Sequence, residues 1–178
     1  MPETKSTKGA LAHALKELMS EHPFSKISVG DICAQCGMSR KSFYYHFQDK
    51  YDLMNWIFYT EFIDALQQSG QIDGWQLLSN ICAYFHKEQV FYRNALNVRG
   101  QNCFQDYFIE TIQPFILILI SDMYTEGEHL DFYVTFYTDA FLTALIRWLN
   151  EGASIPPDQF AQLLKNAMRG LSNSPADS

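Results

Sequence analysis

Two capped helix starts lying close together constrain this chain more than any other feature. The segment Ile27–Leu53 reads ISVGDICAQCGMSRKSFYYHFQDKYDL. Ser28 followed by Asp31 is a helix-start signature: the hydroxyl can accept from a first-turn amide, and the carboxylate can reach back to the Ser28 amide. Ile27 and Ile32 hold the two positions that staple such an N-terminus. Gly37 then leaves the helix at positive φ with little cost. Ser39 opens a second helix, with Met38 and Phe43 as its staple. Two helices of about two turns each, parted by a glycine turn, match the helix-turn-helix unit whose second helix enters the DNA major groove.

The second helix sorts its own residues. Phe43 and Phe47 are one turn apart and share the face that packs inward. Arg40, Lys41 and Tyr44 lie on the opposite face near the helix N-terminus, where base edges come within reach. Tyr45, His46 and Lys50 are donors around its end, which suits phosphate oxygens. The alternative, that Tyr44, Tyr45 and His46 merely solvate an amphipathic helix, leaves the two caps and the cationic face unconnected.

This segment resembles the DNA-binding domain of the TetR family of transcriptional regulators. The resemblance rests on Ser28, Asp31-Ile32, Gly37, Ser39, Phe43-Tyr44-Tyr45-His46-Phe47, Lys50 and Asp52-Leu53, and spans roughly residues 6–62. Carried over by position, it implies base contacts from Arg40, Lys41 and Ser42. It implies phosphate contacts from Tyr44, Tyr45, His46 and Lys50, and a phosphate at the helix start of Ser28. Lys41 departs from the pattern, since small residues are common there in the family. A long cation at that place reads guanine or binds phosphate, so the operator sequence stays open.

Charge agrees with this polarity. The net charge of −7 looks wrong for a DNA binder until it is divided. Residues 1–50 carry seven basic and five acidic side chains, or +2, and the remainder six against fifteen, or −9. Only the first segment can face DNA, because an acidic body is repelled by it. We therefore expect a DNA-binding domain over residues 1–50 and a regulatory and dimerisation domain over 51–178. A chain of 178 residues, 47% hydrophobic, is long enough to bury a real core. The longest apolar run, Phe115–Ile120, is far short of a bilayer span. No secretion signal is visible, so the expected place is the cytoplasm, with no membrane partner.

Cys33-x-x-Cys36 has the spacing of a zinc knuckle or a redox pair. A structural zinc needs four ligands, and no second close pair follows at finger spacing. A thioredoxin-like motif needs a βαβ context, which is lacking. The pair is read as small packing residues, with Cys82 and Cys103 as isolated thiols; no metal and no cofactor are expected. His13, His22, His46, His86 and His129 are scattered, no nucleophile motif surrounds a Ser or Cys, and no phosphate loop is present, so an enzyme is not expected. A helical adaptor that binds only proteins would leave the groove-facing cations unexplained.

The rest of the chain reads as helices, for an all-α fold. Leu11, Ala14, Leu15, Leu18 and Met19 make a stripe ending near His22-Pro23. Leu53–Leu66 traces a longer helix, and further helices follow at about 75–87, 90–97, 103–124, 131–151 and 157–170, Pro114 kinking or splitting the third of these. From Phe132 to Leu149 the helix is apolar on most sides and needs cover on most sides. With the stripe Phe160, Leu163, Leu164, Ala167 and Leu171, it suggests a two-fold four-helix interface through Phe141, Leu145, Trp148, Phe160 and Leu164. The resemblance implies the same homodimer, which would present two recognition helices to a near-palindromic double-stranded operator.

Residues 75–130 are dense in aromatics. The resemblance places a small-molecule effector there, for which Phe85, Tyr92, Phe108 and Tyr137 are the candidates; aromatics at this spacing also serve as core. Tyr92–Phe104 crowds Arg93, Asn94, Asn97, Arg99, Gln101 and Asn102 around Gly100. This turn resembles a C-terminal region found in a TetR subgroup that includes the DhaS-type activators of dihydroxyacetone kinase operons, which implies a co-regulator protein in place of a ligand. The expected mode is repression relieved by an effector that reorients the helix beginning near Asp49; control by a docking protein is the alternative.

Overall fold

Leu11, Ala14, Leu15 and Met19 recur at helical spacing, and they form the buried face of α1 (Pro2–Glu21). Pro23 sets its end, because the residue before a proline is driven out of the helical region. A single 3-10 turn, Phe24–Lys26, buries Phe24 and leads into α2 (Val29–Gln35). After the turn come α3 (Arg40–His46) and α4 (Lys50–Phe58). The computed structural model describes residues 2–68, 73–98, 100, 103–121, 124 and 129–172, and every regular element among them is helical.

The helix expected over Leu53–Leu66 is interrupted by a turn of π-helix, Tyr59–Ile63, before α5 (Asp64–Gln68). The sequence carries the reason. Ile57 and Phe58 are followed five residues later by Phe62 and Ile63, and all four are buried. A turn with i→i+5 bonding keeps both pairs on one face, where an unbroken α-helix would rotate the second pair away.

Four further helices come before the last: α6 (Gly74–Lys87), α7 (Gln89–Leu96), α8 (Phe104–Ile120) and α9 (Leu130–Asn150), followed by α10 (Pro157–Ser172). Pro114 does not split α8, which runs through it. The loss is one backbone bond at an exposed position. Gly152 (φ +78) and Ala153 (φ +49) turn the chain after α9, with the Ala153 N–H returning to the Trp148 carbonyl at 2.8 Å. Trp148 Nε1–H closes the turn on the Ile155 carbonyl at 3.0 Å, and its ring stacks on Phe160 at 4.4 Å.

The chain divides into two compact units, Met1–Gly70 with Val90–Tyr107, and Gln71–Gln89 with Phe108–Ser178. The first therefore runs past residue 50, where the sequence suggested a boundary. Its core explains why: α4 buries Leu53, Met54, Ile57 and Phe58, and the Phe58 ring meets Tyr92 and Phe104 edge-on at 6.1 and 5.5 Å. In the second unit α6 packs along α10, and Phe85, Phe108 and Phe141 form a chain of ring contacts at 5.4 and 6.2 Å.

Candidate nucleic-acid interface

The two caps expected at α2 and α3 are both formed. Ser28 Oγ accepts from the Asp31 amide at 3.2 Å, and the Ser28 amide donates to Asp31 Oδ2 at 2.8 Å, closing a capping box. Gly37 stands at φ +68, and the Met38 N–H reaches back to the Cys33 carbonyl at 2.8 Å. Ser39 Oγ then accepts from the Ser42 amide at 3.1 Å and starts α3. At the far end, Asp49 caps α4 through the Tyr51 and Asp52 amides at 2.8 and 2.9 Å. With both ends of α3 fixed by neighbours, its rotation about its own axis is set by Phe43 and Phe47, which are buried.

That rotation decides what α3 shows to solvent. Tyr44 and Tyr45 are 58% and 83% exposed, Arg40 and Lys41 are exposed, and Ser42 and His46 are half-buried. The Tyr45 and His46 rings meet edge-on at 4.9 Å. Arg40 lies back towards α2: a Cβ added to Gly30 would stand 2.5 Å from its Nη2. The guanidinium also helps to hold the Asp31 carboxyl below the usual carboxylate range, after the larger effect of the hydrogen bonds with Ser28.

Two members of the expected set are committed inside the fold. Both the amide and the hydroxyl of Ser28 donate to Asp31 Oδ2, at 2.8 and 2.7 Å, so a phosphate there must compete with a resident carboxylate. Lys50 Nζ donates to the Phe24 and Ile27 carbonyls at 2.8 and 2.6 Å and sits 4.4 Å above the Phe24 ring. Two of its three N–H groups thus tie α4 to the α1–α2 connection. Burial pulls its pKa down, against the attraction of Asp31 and Asp49.

A second tie went unread in the sequence. Asn94 of α7 donates to the Met19 and His22 carbonyls at 3.1 and 2.9 Å and accepts from the Phe24 amide at 3.1 Å. One side chain thereby satisfies both the C-terminal end of α1 and the turn after it. Asn94 belongs to the polar stretch around Gly100 that looked like a docking surface. Of the rest, Arg93 and Asn97 are exposed, and Arg99, Gln101 and Asn102 lie outside the described residues. Cys33 is buried in α2, and the Cys36 thiol rests 3.2 Å from the Ile32 carbonyl.

The effector candidates are drawn from both units. Phe85, Phe108 and Tyr137 are buried in the second unit, with the Tyr137 hydroxyl 2.8 Å from that of Tyr124. Tyr92 is buried in the first unit against Phe58 and Phe104. Of the expected interface residues, Phe141 and Leu145 are 4% and 0% exposed and face the chain's own core, which corrects those two; Trp148 and Phe160 are buried but reach the wall of an open concavity, and Leu164 is half-buried. The exposed side of α9 carries Phe132 and Phe136 instead, at 65% and 46%, and α10 exposes Leu163. Beside them lies an open concavity of about 560 Å³, its wall including Phe136, Ala140, Arg147, Trp148, Ile155 and Phe160.

Residues 73–170 match the family described as "Transcriptional regulator C-terminal region", and residues 11–56 match "Bacterial regulatory proteins, tetR family". The HTH-type dhaKLM operon transcriptional activator DhaS of Lactococcus lactis subsp. lactis is 31% identical over 110 residues, 61% of this chain. The match spans only 58% of that relative's own length. A solved dihydroxyacetone kinase operon activator DhaS superposes with a TM-score of 0.62 at 20% identity over 93% of each chain. A TetR transcriptional regulator from Streptococcus agalactiae gives 0.74 at 20% identity, over 93% of this chain and 94% of the other. NalD, the secondary repressor of a multidrug efflux pump in Pseudomonas aeruginosa, gives 0.68 at 18%, over 94% and 96%. At these identities the three structures establish a shared fold.

Proposed function

The chain belongs to the TetR family of transcriptional regulators, DNA-binding proteins rather than enzymes, and we propose that it is a cytoplasmic, homodimeric repressor whose grip on its operator is relieved by an effector. The observation that carries this reading is the split of α3: Phe43 and Phe47 are buried while Arg40, Lys41, Tyr44 and Tyr45 stand in solvent. Arg40, Lys41 and Ser42 are assigned to base edges, with Arg40 swinging off Gly30 as it enters the groove. Tyr44, Tyr45 and His46 are assigned to phosphates or, for Tyr44, to a base edge. Lys50 acts mainly as a clamp, with one N–H left for a phosphate. Among the described residues no helix is long and apolar enough to cross a membrane.

Repression follows if the dimer holds two copies of α3 at the spacing of two half-sites, and an effector changes that spacing. By linkage, operator DNA must weaken effector binding by the same factor. Selecting bound fragments from the source genome tests the core of the reading. A near-palindromic site bound with a steep salt dependence is the expected result; retention of no fragment above background sinks it.

A second reading has its own support. The relative that is 31% identical is a transcriptional activator, so this chain would activate together with a docking protein, held near Arg93–Phe104. A small ligand entering the second unit should raise the melting temperature of the free dimer by mass action. Control by a partner protein leaves that temperature unchanged in every small-molecule screen.

A further inference from the structure

The outer face of α9 is self-complementary in a way its inner face is not. Phe132, Phe136, Asp139, Thr143, Arg147 and Asn150 follow one another three or four residues apart, and all are exposed. They form one seam along the helix. Charge is distributed symmetrically on that seam, with Asp139 four residues before Thr143 and Arg147 four after it. Ala140 and Ala144 flank Thr143, so nothing bulky prevents a second helix from approaching to about 8–10 Å between axes.

We infer that α9 meets the α9 of a second copy antiparallel, with Thr143 at the two-fold axis, each Asp139 paired with Arg147 of the other copy, and Phe132 and Phe136 of each copy closing the other's concavity. This rests on the homodimer proposed above and fixes its register.

A two-fold axis perpendicular to antiparallel helices places each residue opposite the one equally far beyond the axis. Asp139 therefore stands level with Arg147 of the other copy, each pair about 6 Å along the helix from the axis. The same rule sets Phe136 of one copy opposite Asn150 of the other, and Phe132 opposite the turn that carries Ile155. That is the end of the concavity walled by Trp148, Ile155 and Phe160. Two phenylalanine rings that have no polar atom to keep them in water thus gain an apolar site, and the concavity is complete only when the second copy fills it. Glu151, one turn beyond Arg147, also walls the concavity.

Charge reversal tests the register. Asp139→Arg and Arg147→Asp should each place like charges opposite each other twice per dimer, and each should weaken self-association on the order of 100-fold. Mixed in equal amounts, the two variants should form a heterodimer as tight as the parent, because every pair is then opposite in sign again. Sedimentation across a dilution series reads all three samples, and circular dichroism checks that each variant is folded. Both side chains are exposed, so helix content should not change. A parent chain that runs as a monomer overturns the homodimer and this register together. A parent dimer whose single reversals associate normally overturns the register alone, as does a mixture that fails to reassociate.

Discussion

The reading head and the outer face of α9 both leave aromatic rings in solvent, but of different kinds. On α3 the exposed rings are Tyr44 and Tyr45, each tipped with a hydroxyl that water or a phosphate can satisfy. On α9 they are Phe132 and Phe136, which offer neither a donor nor an acceptor. Their rings stack on each other at 6.3 Å along the helix, a continuous apolar ridge. A surface tyrosine is stable without a partner and useful with a polar one. A surface phenylalanine ridge needs apolar cover. That difference supports assigning α3 to nucleic acid and the outer face of α9 to a protein surface.

Truncating one ring in each region breaks or upholds that contrast most sharply. Phe43 is fully buried beneath the reading head, so Phe43→Ala should cost about 3–5 kcal/mol and unfold the first unit. Phe136→Ala should leave the melting temperature of the isolated chain nearly unchanged and weaken dimerisation instead. Thermal unfolding at low concentration, where association does not contribute, measures both. Equal destabilisation by the two variants would mean that Phe136 is core after all.

Next in size are the side chains proposed to face the groove. Tyr44→Ala, Lys41→Ala and Arg40→Ala should keep the parent's stability and lose operator affinity, by about 1–3 kcal/mol wherever a bidentate base contact is removed. Where only a phosphate contact is lost, the affinity should fall for all sequences alike and the salt dependence should flatten. Three variants that bind like the parent would dismiss this face as the reading surface.

The reading head was legible because its instructions are local. Ser28, Asp31, Gly37 and Ser39 act within one turn of themselves, so spacing alone announces them. The ties made by Lys50 and Asn94 were not legible in the same way. Their partners are backbone carbonyls of Met19, His22, Phe24 and Ile27, and no side-chain pattern displays a carbonyl left over at a helix end. For α9 the difficulty was different. It is apolar around most of its circumference, and periodicity cannot say which apolar side faces the core. Spacing offered Phe141 and Leu145 to a partner, where the fold buries both and leaves Phe132 and Phe136 exposed.

Those ties give the third prediction. Asn94→Ala leaves two carbonyls and one amide near the end of α1 without their partner and should cost about 1–3 kcal/mol. Operator affinity should drop with it, since the same contact holds the linker into α2, while the salt dependence stays that of the parent. Lys50→Met discriminates further. If the ammonium is only a clamp, stability falls and the salt slope is unchanged; a slope reduced by about one identifies a phosphate contact as well.

The two units should also respond to opposite ends of the pH scale. In the second, burial pushes the Cys82 thiol up to about 12. Its contribution is whole below the ordinary thiol value and is lost progressively as pH rises towards 12, because only the unfolded chain can ionise it freely. At pH 10, one to one and a half units above the ordinary thiol value, the expected deficit is about 1.5–2 kcal/mol. Cys82→Ala should remove this alkaline slope while lowering stability at neutral pH through the cavity it leaves. A slope that persists in the variant assigns it to other groups.

The smallest effect belongs to Asp31, and its sign is the reverse. Its carboxyl is held below the usual carboxylate range by the Ser28 hydroxyl and amide, with Arg40 assisting. A depressed acid stabilises the fold above its unfolded value and stops doing so as pH falls through the folded one. The capping box should therefore weaken below about pH 4, where the unfolded carboxyl begins to take up protons. Many other carboxylates titrate in this range, so the useful quantity is a difference. Asp31→Asn keeps the geometry and one acceptor but carries no charge. Its melting temperature should lie below the parent's at pH 6, and the gap should close as the pH is lowered to 3. Because Asp31 is exposed, the gap should be narrower than that between the parent and Ser28→Ala, which loses the cap itself at a cost of about 1 kcal/mol. A gap that stays constant down to pH 3 would mean that the charge on Asp31 contributes nothing, and that hydrogen-bond geometry alone starts the helix before the turn.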